Sequence, residues 1–248
     1  MNKSFDTYTD KYLKKYLFEE INANYRLGIF IGKFKPPHIG HFNTLMGILG
    51  EGENIFSTRY PQDIPECECD GAIVIISNKA KREDFNEDGV SLEVTPEISE
   101  DMWRLFVIDR PYRDKVTFTI DNPVLGAINI LEQISQEGNY NGIPVDNLSV
   151  RLFVGEEEDE QGEIDMVATE KEMKRYDYIL KNQSKMGFDG EDKVKVCVMA
   201  RGGSATAVRE KIARIAIDKM DLETLQENIP EHVDLSAFWH IASKAVLG

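Results

Sequence analysis

Residues 27–41 read Leu-Gly-Ile-Phe-Ile-Gly-Lys-Phe-Lys-Pro-Pro-His-Ile-Gly-His. The apolar run over 27–31 predicts a buried strand, the two prolines predict the turn that leaves it, and residues 39–49 predict a helix. The first turn of a helix has unpaired backbone N–H groups and carries the positive end of the helix dipole, so it attracts negative charge. This stretch therefore predicts an anion site between a strand and a helix.

The side chains of the same stretch favour phosphate as the anion. His38 and His41 are three residues apart, which puts both imidazoles on one face of the first helical turn, where each can donate a hydrogen bond to a phosphate oxygen. Gly32 and Gly40 lack side chains and leave room for a ligand to approach the backbone. The alternative interpretation is that the two histidines only cap a helix after a proline turn.

Residues 32–41 resemble the signature G-x-F-x-P-x-H-x-G-H of the HxGH nucleotidylyltransferase superfamily, and every fixed position is matched, by Gly32, Phe34, Pro36, His38, Gly40 and His41. The resemblance implies that His38 and His41 are catalytic and stabilise the charge that develops on the phosphates. It also places Gly32, Phe34 and Gly40 at the bound nucleotide. Lys33, inside the motif, is close enough in sequence to reach a phosphate.

A second stretch, residues 204–209, resembles a second signature of the superfamily, I-S-[SGA]-T-x-[IV]-R. Ser204 is well placed to cap a helix that runs through Val208 and Ile212. The resemblance implies that Arg209, with the groups near Ser204 and Thr206, binds the departing pyrophosphate. The sequence departs from the signature at Gly203, which stands where the superfamily has Ile.

The composition narrows the class of protein. The chain has 248 residues, of which 42% are hydrophobic, enough for one domain with appendages or for two small domains. Its net charge of −15 argues against nucleic acid as a partner, because binding a phosphate backbone needs a basic surface. A local cluster of cations can still attract a triphosphate. No long apolar run or signal-peptide core is present, so we expect no membrane partner and a cytoplasmic location.

The strand and helix patterns alternate along the chain. Strands are predicted over 27–31, 72–76, 116–120, 148–154 and 193–199, with helices over 39–49, 96–109, 123–134, 170–183 and from 205 onward. Residues 51–70 and 83–95 are predicted to be loops, and 138–147 a turn-rich connector. The alternation predicts an α/β fold, a Rossmann-like parallel five-stranded sheet with helices on both faces. We divide the chain into an N-terminal helical extension (1–25), a nucleotidylyltransferase domain (26–218) and a small C-terminal helical segment (219–248).

Ligands of open α/β sheets bind at the carboxyl ends of the strands. Lys79 follows the second predicted strand there and is a candidate phosphate contact; the alternative is a solvated basic loop. Gly155 follows the fourth strand, where relatives have a Gly-Ser-Asp-like nucleotide contact. The residues after Gly155 are glutamates, so we interpret 156–165 as a solvated acidic loop, with a magnesium contact as the alternative.

The three cysteines are too few for a disulfide framework. Cys67 and Cys69 have the spacing of a metal half-site, but no second pair with zinc spacing accompanies them. Cys197 lies in an apolar run and is predicted to be a core residue. We therefore predict no protein-bound metal site.

The resemblance implies direct transfer of a nucleoside monophosphate from ATP or CTP to a phosphorylated small molecule, with magnesium bound to the triphosphate. The form Gly-Lys-Phe at residues 32–34 favours adenylyl transfer to nicotinamide mononucleotide, forming NAD. Cytidylyltransferase and pantetheine-phosphate adenylyltransferase activities remain alternatives, as does a nucleotide-binding regulator that has lost turnover. A class I aminoacyl-tRNA synthetase fragment is disfavoured, since no Lys-Met-Ser-Lys-Ser-like segment is present. The sequence leaves a homo-oligomer open.

Overall fold

The computed structural model of the protein describes residues 24–52, 56–57, 60, 64–85, 89–157, 163–190, 192–200 and 203–247. The N-terminal helix predicted over 1–25 lies outside these residues, apart from Tyr25, which begins the first strand. Among the described helices, none has both the length and the apolar character needed to cross a bilayer.

The strands are, in chain order, β1 (Tyr25–Gly32), β2 (Gly71–Ser77), β3 (Lys81–Phe85), β4 (Val90–Val94), β5 (Val116–Asp121), β6 (Asn139–Tyr140), β7 (Ile143–Pro144), β8 (Leu148–Gly155), β9 (Val194–Met199) and β10 (Val246–Leu247). Five of them form the central sheet, in the order β5-β2-β1-β8-β9. Every neighbouring pair in that sheet is parallel. The predicted five-stranded parallel sheet is confirmed.

The α-helices are α1 (Ile39–Ile48), α2 (Ile64–Cys67), α3 (Pro96–Val107), α4 (Pro123–Glu137), α5 (Met166–Met173), α6 (Asp177–Asn182), α7 (Ala205–Ala216) and α8 (Leu235–Ala242). Their starts follow local sequence signals. The side chains of Thr95, Asn122 and Ser204 accept N-cap hydrogen bonds at α3, α4 and α7. Proline occupies the first turn of both α3 and α4, where its missing N–H costs nothing.

Helices cover both faces of the sheet. Side chains alternate along β1, so that Ile29 shares a core cluster with Leu131 of α4, whereas Phe30 shares the opposite cluster with Leu45 of α1 and Trp103 of α3. Both clusters are buried, which explains why the central strands are apolar at nearly every position. Trp103 is fully buried.

The prediction of an exposed loop over 83–95 is wrong. β3 and β4 pair antiparallel, and β10 pairs with the other side of β4. Val90, Leu92 and Val94 of β4 point inward and are buried, while the residues between them are partly exposed. This period of two is the strand signal, and the charged, exposed sequence of β3 concealed it. Other segments predicted to be irregular also hold short elements, α2 within 51–70 and the β6–β7 pair within 138–147.

The C-terminal segment packs on the same core. Phe238 of α8 stacks on Phe106 of α3, with ring centroids 6.1 Å apart. His232 Nε2 lies 2.8 Å from the Phe106 carbonyl oxygen. His232 therefore joins the segment to α3.

A disulfide joins Cys67 of α2 to Cys197 of β9, with an S–S distance of 2.07 Å. It ties together positions 130 residues apart, a pairing that the spacing of the cysteines did not predict. Cys197 is buried, as expected of a core residue, but it is bonded rather than free. Cys69 is a buried free thiol, and burial raises its pKa to about 12.

Candidate active site

The candidate site lies where the chain order of the sheet reverses. β1 is flanked by β2 on one side and by β8 on the other, and later strands extend the sheet outward in both directions. In open α/β sheets such a switch point opens a crevice at the carboxyl ends of the strands. Gly32 ends β1 and Gly155 ends β8, so both stand at this crevice.

His38 is the N-cap of α1. Its backbone is extended, and its Nδ1 atom accepts a hydrogen bond from the Gly40 N–H at 3.1 Å. Because Nδ1 is the acceptor, the ring proton of the neutral imidazole resides on Nε2. The cap therefore fixes the orientation of the His38 ring and leaves Nε2–H as its donor. The role of Gly40 in this structure is to orient that ring through its backbone N–H.

His41 is held beside His38, with ring centroids 3.8 Å apart. The ring of Phe34 meets His41 edge-on at 5.0 Å, and Trp103 packs edge-on against Phe34 at 5.3 Å. Phe34 is 3% exposed. The structure thus places Phe34 in the core, where it positions His41, and the two histidines of the motif are brought together as predicted.

Gly32 serves packing rather than ligand access. A Cβ atom at this position would lie 2.6 Å from Cζ of Phe34. Phe34 has a φ of +47°, a conformation uncommon for a bulky residue, and its ring folds back over Gly32. The prediction that Gly32 leaves room for a ligand is wrong, because the motif's own aromatic ring fills that space.

The second signature stretch begins α7. Ser204 is exposed at the N-cap, where its Oγ accepts from the Ala207 N–H at 3.5 Å. Thr206, also exposed, accepts a hydrogen bond from Arg209 Nη2 at 2.9 Å. Two hydroxyls and a guanidinium thus lie in the first turns of a helix that starts just beyond a parallel strand.

Arg209 joins the two stretches. Its Nη1 donates to the carbonyl oxygen of Lys35 at 2.5 Å, across 174 residues of chain. Its Nε donates to the carboxylate of Glu83 on β3, and the Arg209 side chain is 7% exposed. Arg209 is therefore in the site, where a carboxylate now holds one of the donors that the prediction assigned to pyrophosphate.

Gly203 explains the departure from the second signature. It has a φ of +74°, and a Cβ there would lie 2.9 Å from the imidazole of His38. An isoleucine at this position would be strained and would collide with the ring. The Ile-to-Gly difference thus lets residue 203 pack directly on His38.

Lys35 is a buried cation that the sequence analysis did not assign. Its side chain is 3% exposed, and its Nζ has no hydrogen-bond partner among the described residues. Burial lowers the pKa of Lys35 to about 8, against the opposing attraction of Glu97 in the first turn of α3. Lys33, which is predicted from the sequence to reach a phosphate, is exposed.

The remaining predicted contacts stand at the rim. Lys79 is exposed just beyond β2, and Gly155 has no other atom within 4 Å of the space a Cβ would occupy. Glu156 contradicts the prediction of a solvated acidic loop. It is 6% exposed and accepts a hydrogen bond from the Ser57 hydroxyl.

The donor set does not form a protein-bound metal site. Within the described ranges, no three carboxylate, thiol or imidazole groups cluster so as to hold a metal ion. The nearby carboxylates Glu83 and Glu156 are occupied by Arg209 and Ser57.

His38, Lys35 and Arg209 are buried, whereas His41 is partly exposed and Ser204 and Thr206 are exposed. Neither Glu83 nor the burial of Lys35 could be found from local sequence, because both depend on contacts between distant elements. Of these contacts, only the packing of residue 203 on His38 had a signal in the sequence, which is the glycine that stands where the signature has Ile.

No family model matches the chain, and no curated protein matches it. Among solved structures, the chain is similar to a protein from Vibrio parahaemolyticus described as a nicotinate-nucleotide adenylyltransferase, with 11% identity, a TM-score of 0.44, and coverage of 89% of this chain and 96% of that one. It is also similar to Plasmodium falciparum nicotinic acid mononucleotide adenylyltransferase complexed with NaAD, with 11% identity, a TM-score of 0.47, and coverage of 88% and 97%.

Proposed function

We propose that this chain is a nucleotidylyltransferase that transfers the adenylyl group of ATP to the phosphate of nicotinamide mononucleotide and releases pyrophosphate. One observation carries the proposal: the HxGH helix and the Ser204–Arg209 helix, distant in sequence, meet at the carboxyl edge of the sheet. The Arg209 hydrogen bond to the Lys35 carbonyl and the packing of Gly203 on His38 make this contact.

The chemistry follows from the donors that converge there. A phosphate oxygen of the acceptor attacks the α-phosphorus in line, and the bond to the pyrophosphate oxygen breaks, with no covalent enzyme intermediate. His38 through Nε2–H, with His41 beside it, donates to oxygens on which charge develops. Arg209 binds the departing pyrophosphate once Glu83 has been displaced. The protein's contribution is positioning and charge stabilisation.

ATP and nicotinamide mononucleotide are the proposed pair because residues 32–34 have the Gly-Lys-Phe form seen in adenylyltransferases that make NAD. The two histidines and Arg209 recognise phosphates, which every nucleotide shares, so they do not select the base.

Pyrophosphate release tests the proposal. The protein is mixed with magnesium and ATP or CTP, against nicotinamide mononucleotide, nicotinic acid mononucleotide, phosphopantetheine and phosphocholine. Release with ATP and nicotinamide mononucleotide, with NAD as co-product, is the expected result. Release only with CTP and phosphocholine would make the protein a cytidylyltransferase, and release with no pair would refute the transferase assignment and favour a nucleotide-binding regulator.

A further inference from the structure

Lys35 presents a buried charge without a counter-ion in hydrogen-bond contact. Its ammonium group has no hydrogen-bond partner within the described parts of the chain, although the side chain is 3% exposed. Burying an unpaired ammonium group is unfavourable by several kcal/mol in a typical protein interior. Such a group is retained at a cost to the free protein, which calls for a partner that arrives with a ligand.

The position of Lys35 points to that ligand. The residue lies three positions before His38, and its carbonyl oxygen is held by Arg209. Its backbone is thus fixed between the two helix N-termini of the candidate site. Arg209 of α7 contacts this carbonyl oxygen, Glu83 of β3 pairs with Arg209, and His38 and His41 follow on α1. Glu97 of α3 lies within electrostatic range of the ammonium group.

Two further buried polar atoms lie on α3, which packs against the motif through Trp103 and Phe34. Ser99 Oγ and Trp103 Nε1 have no hydrogen-bond partner among the described residues. They are four residues apart on α3 and so share a helix face, and the Trp103 ring packs on Phe34. Lys35 also lies within electrostatic range of Glu97, in the first turn of α3. Among the described residues, α3 therefore contributes two buried polar groups that have no hydrogen-bond partner, and none of its groups accepts a hydrogen bond from Lys35.

We propose that Lys35 is a phosphate-binding residue of this site, its ammonium group donating to an anionic phosphate oxygen of a bound nucleotide. This inference rests on the proposed function and adds a cation to the site that the motif resemblance does not assign. Two sources supply the same chemistry, the triphosphate of the donor nucleotide and the monophosphate of the acceptor.

The test compares Lys35→Met with Lys211→Met by calorimetric binding of tripolyphosphate, MgATP and nicotinamide mononucleotide. Lys211 is the matched control because its ammonium group is satisfied within the protein, by the Thr224 carbonyl at 3.0 Å, Asn228 Oδ1 at 2.8 Å and the carboxylate of Glu227. Both substitutions remove one positive charge from a lysine that is largely buried.

We expect Lys35→Met to weaken at least one probe by about tenfold or more, the magnitude of a lost charge-assisted hydrogen bond. Loss of affinity for tripolyphosphate and MgATP would identify the donor triphosphate as the group that Lys35 binds. Loss of affinity for the mononucleotide alone would identify the acceptor phosphate. Lys211→Met should leave binding within about twofold. Its melting temperature should fall, because it loses partners, whereas that of Lys35→Met should hold or rise, because an unpaired charge is removed.

Unchanged affinity for all three probes in Lys35→Met would overturn the inference, and so would equal losses in the two variants. If Lys35→Met does not fold, Lys35→Arg decides the matter by pH. The wild-type affinity should fall as pH rises from 7 to 9 through the pKa of Lys35, and Lys35→Arg, which stays charged, should bind with a flat profile. A profile that is the same in both proteins would refute the assignment.

Binding is measured without turnover, so the two proposals can fail separately. A protein that binds tripolyphosphate through Lys35 but releases no pyrophosphate with any acceptor would retain this inference and lose the transferase assignment. A protein that releases pyrophosphate but binds all three probes equally well with and without Lys35 would retain the transferase assignment and lose this inference.

Discussion

Individual residues of the candidate site contribute both to packing and to the proposed chemistry. His38 caps α1 through Nδ1, which leaves the proton of the neutral ring on Nε2. Phe34 fills the space above Gly32 and positions His41. The geometry of the donors is therefore built into the helix start itself, which reduces the reorganisation needed during the reaction.

Replacing His41 tests its role as a donor. We expect His41→Ala to lower kcat at least about tenfold, since a charge-assisted hydrogen bond contributes about 1.5–3 kcal/mol. The fold should persist, as judged by circular dichroism. Asn43→Ala, an exposed change two residues along α1, should leave kcat within about twofold. An unaltered kcat in His41→Ala would rule out the assigned role.

Glu83 pairs with Arg209, so under the proposed function it should compete with phosphate for the guanidinium group. Removing its charge should strengthen pyrophosphate binding, on the order of threefold or more, because an anion entering the site no longer meets a carboxylate. Glu83→Gln should also reduce the free energy of unfolding, by about 1–3 kcal/mol, because the buried Arg209 loses its counter-ion. Calorimetric titration with pyrophosphate and chemical denaturation measure the two effects.

The control for this prediction is Asp84→Asn. Asp84 is the next residue on β3 and pairs with exposed Arg82 at 3.2 Å, away from Arg209. The Asp84→Asn substitution removes the same charge from the same strand, and it should change neither the affinity for pyrophosphate nor the stability appreciably. Weaker pyrophosphate binding in Glu83→Gln would show that Glu83 supports the site rather than blocking it.

At the scale of elements, the site depends on how two helices begin. α1 starts at His38 and α7 starts at Ser204, and the residue before Ser204 lies against the His38 ring. The turn into α7 therefore sets the distance between the two stretches that we propose to bind phosphate. The β3–β4 hairpin adds Glu83 from outside the central sheet.

Gly203→Ala tests that turn. The new Cβ would be strained at a φ of +74° and would lie 2.9 Å from the His38 ring, so we expect kcat to fall by about tenfold or more as His38 is displaced. Gly138→Ala is the matched control, because Gly138 has a φ of +70° with no other atom within 4 Å of the added carbon.

Both variants should lose about 1 kcal/mol of stability from the backbone conformation. Only Gly203→Ala should lose turnover. Equal kcat values in the two variants would show that residue 203 has no part in the chemistry.

At the scale of the whole molecule, a covalent bond and apolar contacts join segments that are distant in the chain. The Cys67–Cys197 disulfide fixes α2 to the edge strand β9. The C-terminal segment packs on α3 and supplies β10 to the sheet that carries Glu83.

Thiol counting tests the disulfide. The native protein should not react with a thiol reagent at pH 8, because Cys69 is buried and its pKa is raised to about 12. The denatured, unreduced protein should show a single thiol, and the denatured, reduced protein should show all three cysteines. Cys197→Ser should reduce the free energy of unfolding by about 2–5 kcal/mol.

In the Cys69→Ser variant, used as the control, the denatured unreduced protein should show no thiol. Three thiols in the denatured wild-type protein without reductant would show that the two cysteines are not bonded.

The sequence by itself determined the parallel sheet, the helix caps at Asn122 and Ser204, and the pairing of His38 with His41. These features depend on apolar periodicity and on contacts within a few residues, which a linear chain displays directly. The same applies to the boundaries of the central strands, which differ from prediction by one or two residues.

Only the tertiary structure decided that Glu83 holds Arg209, that Lys35 is buried without a partner among the described residues, and that Gly203 lies on His38. Each depends on elements far apart in the chain meeting in space. Sequence patterns report the environment of a residue through its neighbours, whereas a buried charge or an ion pair is defined by groups that only the packed fold brings within reach.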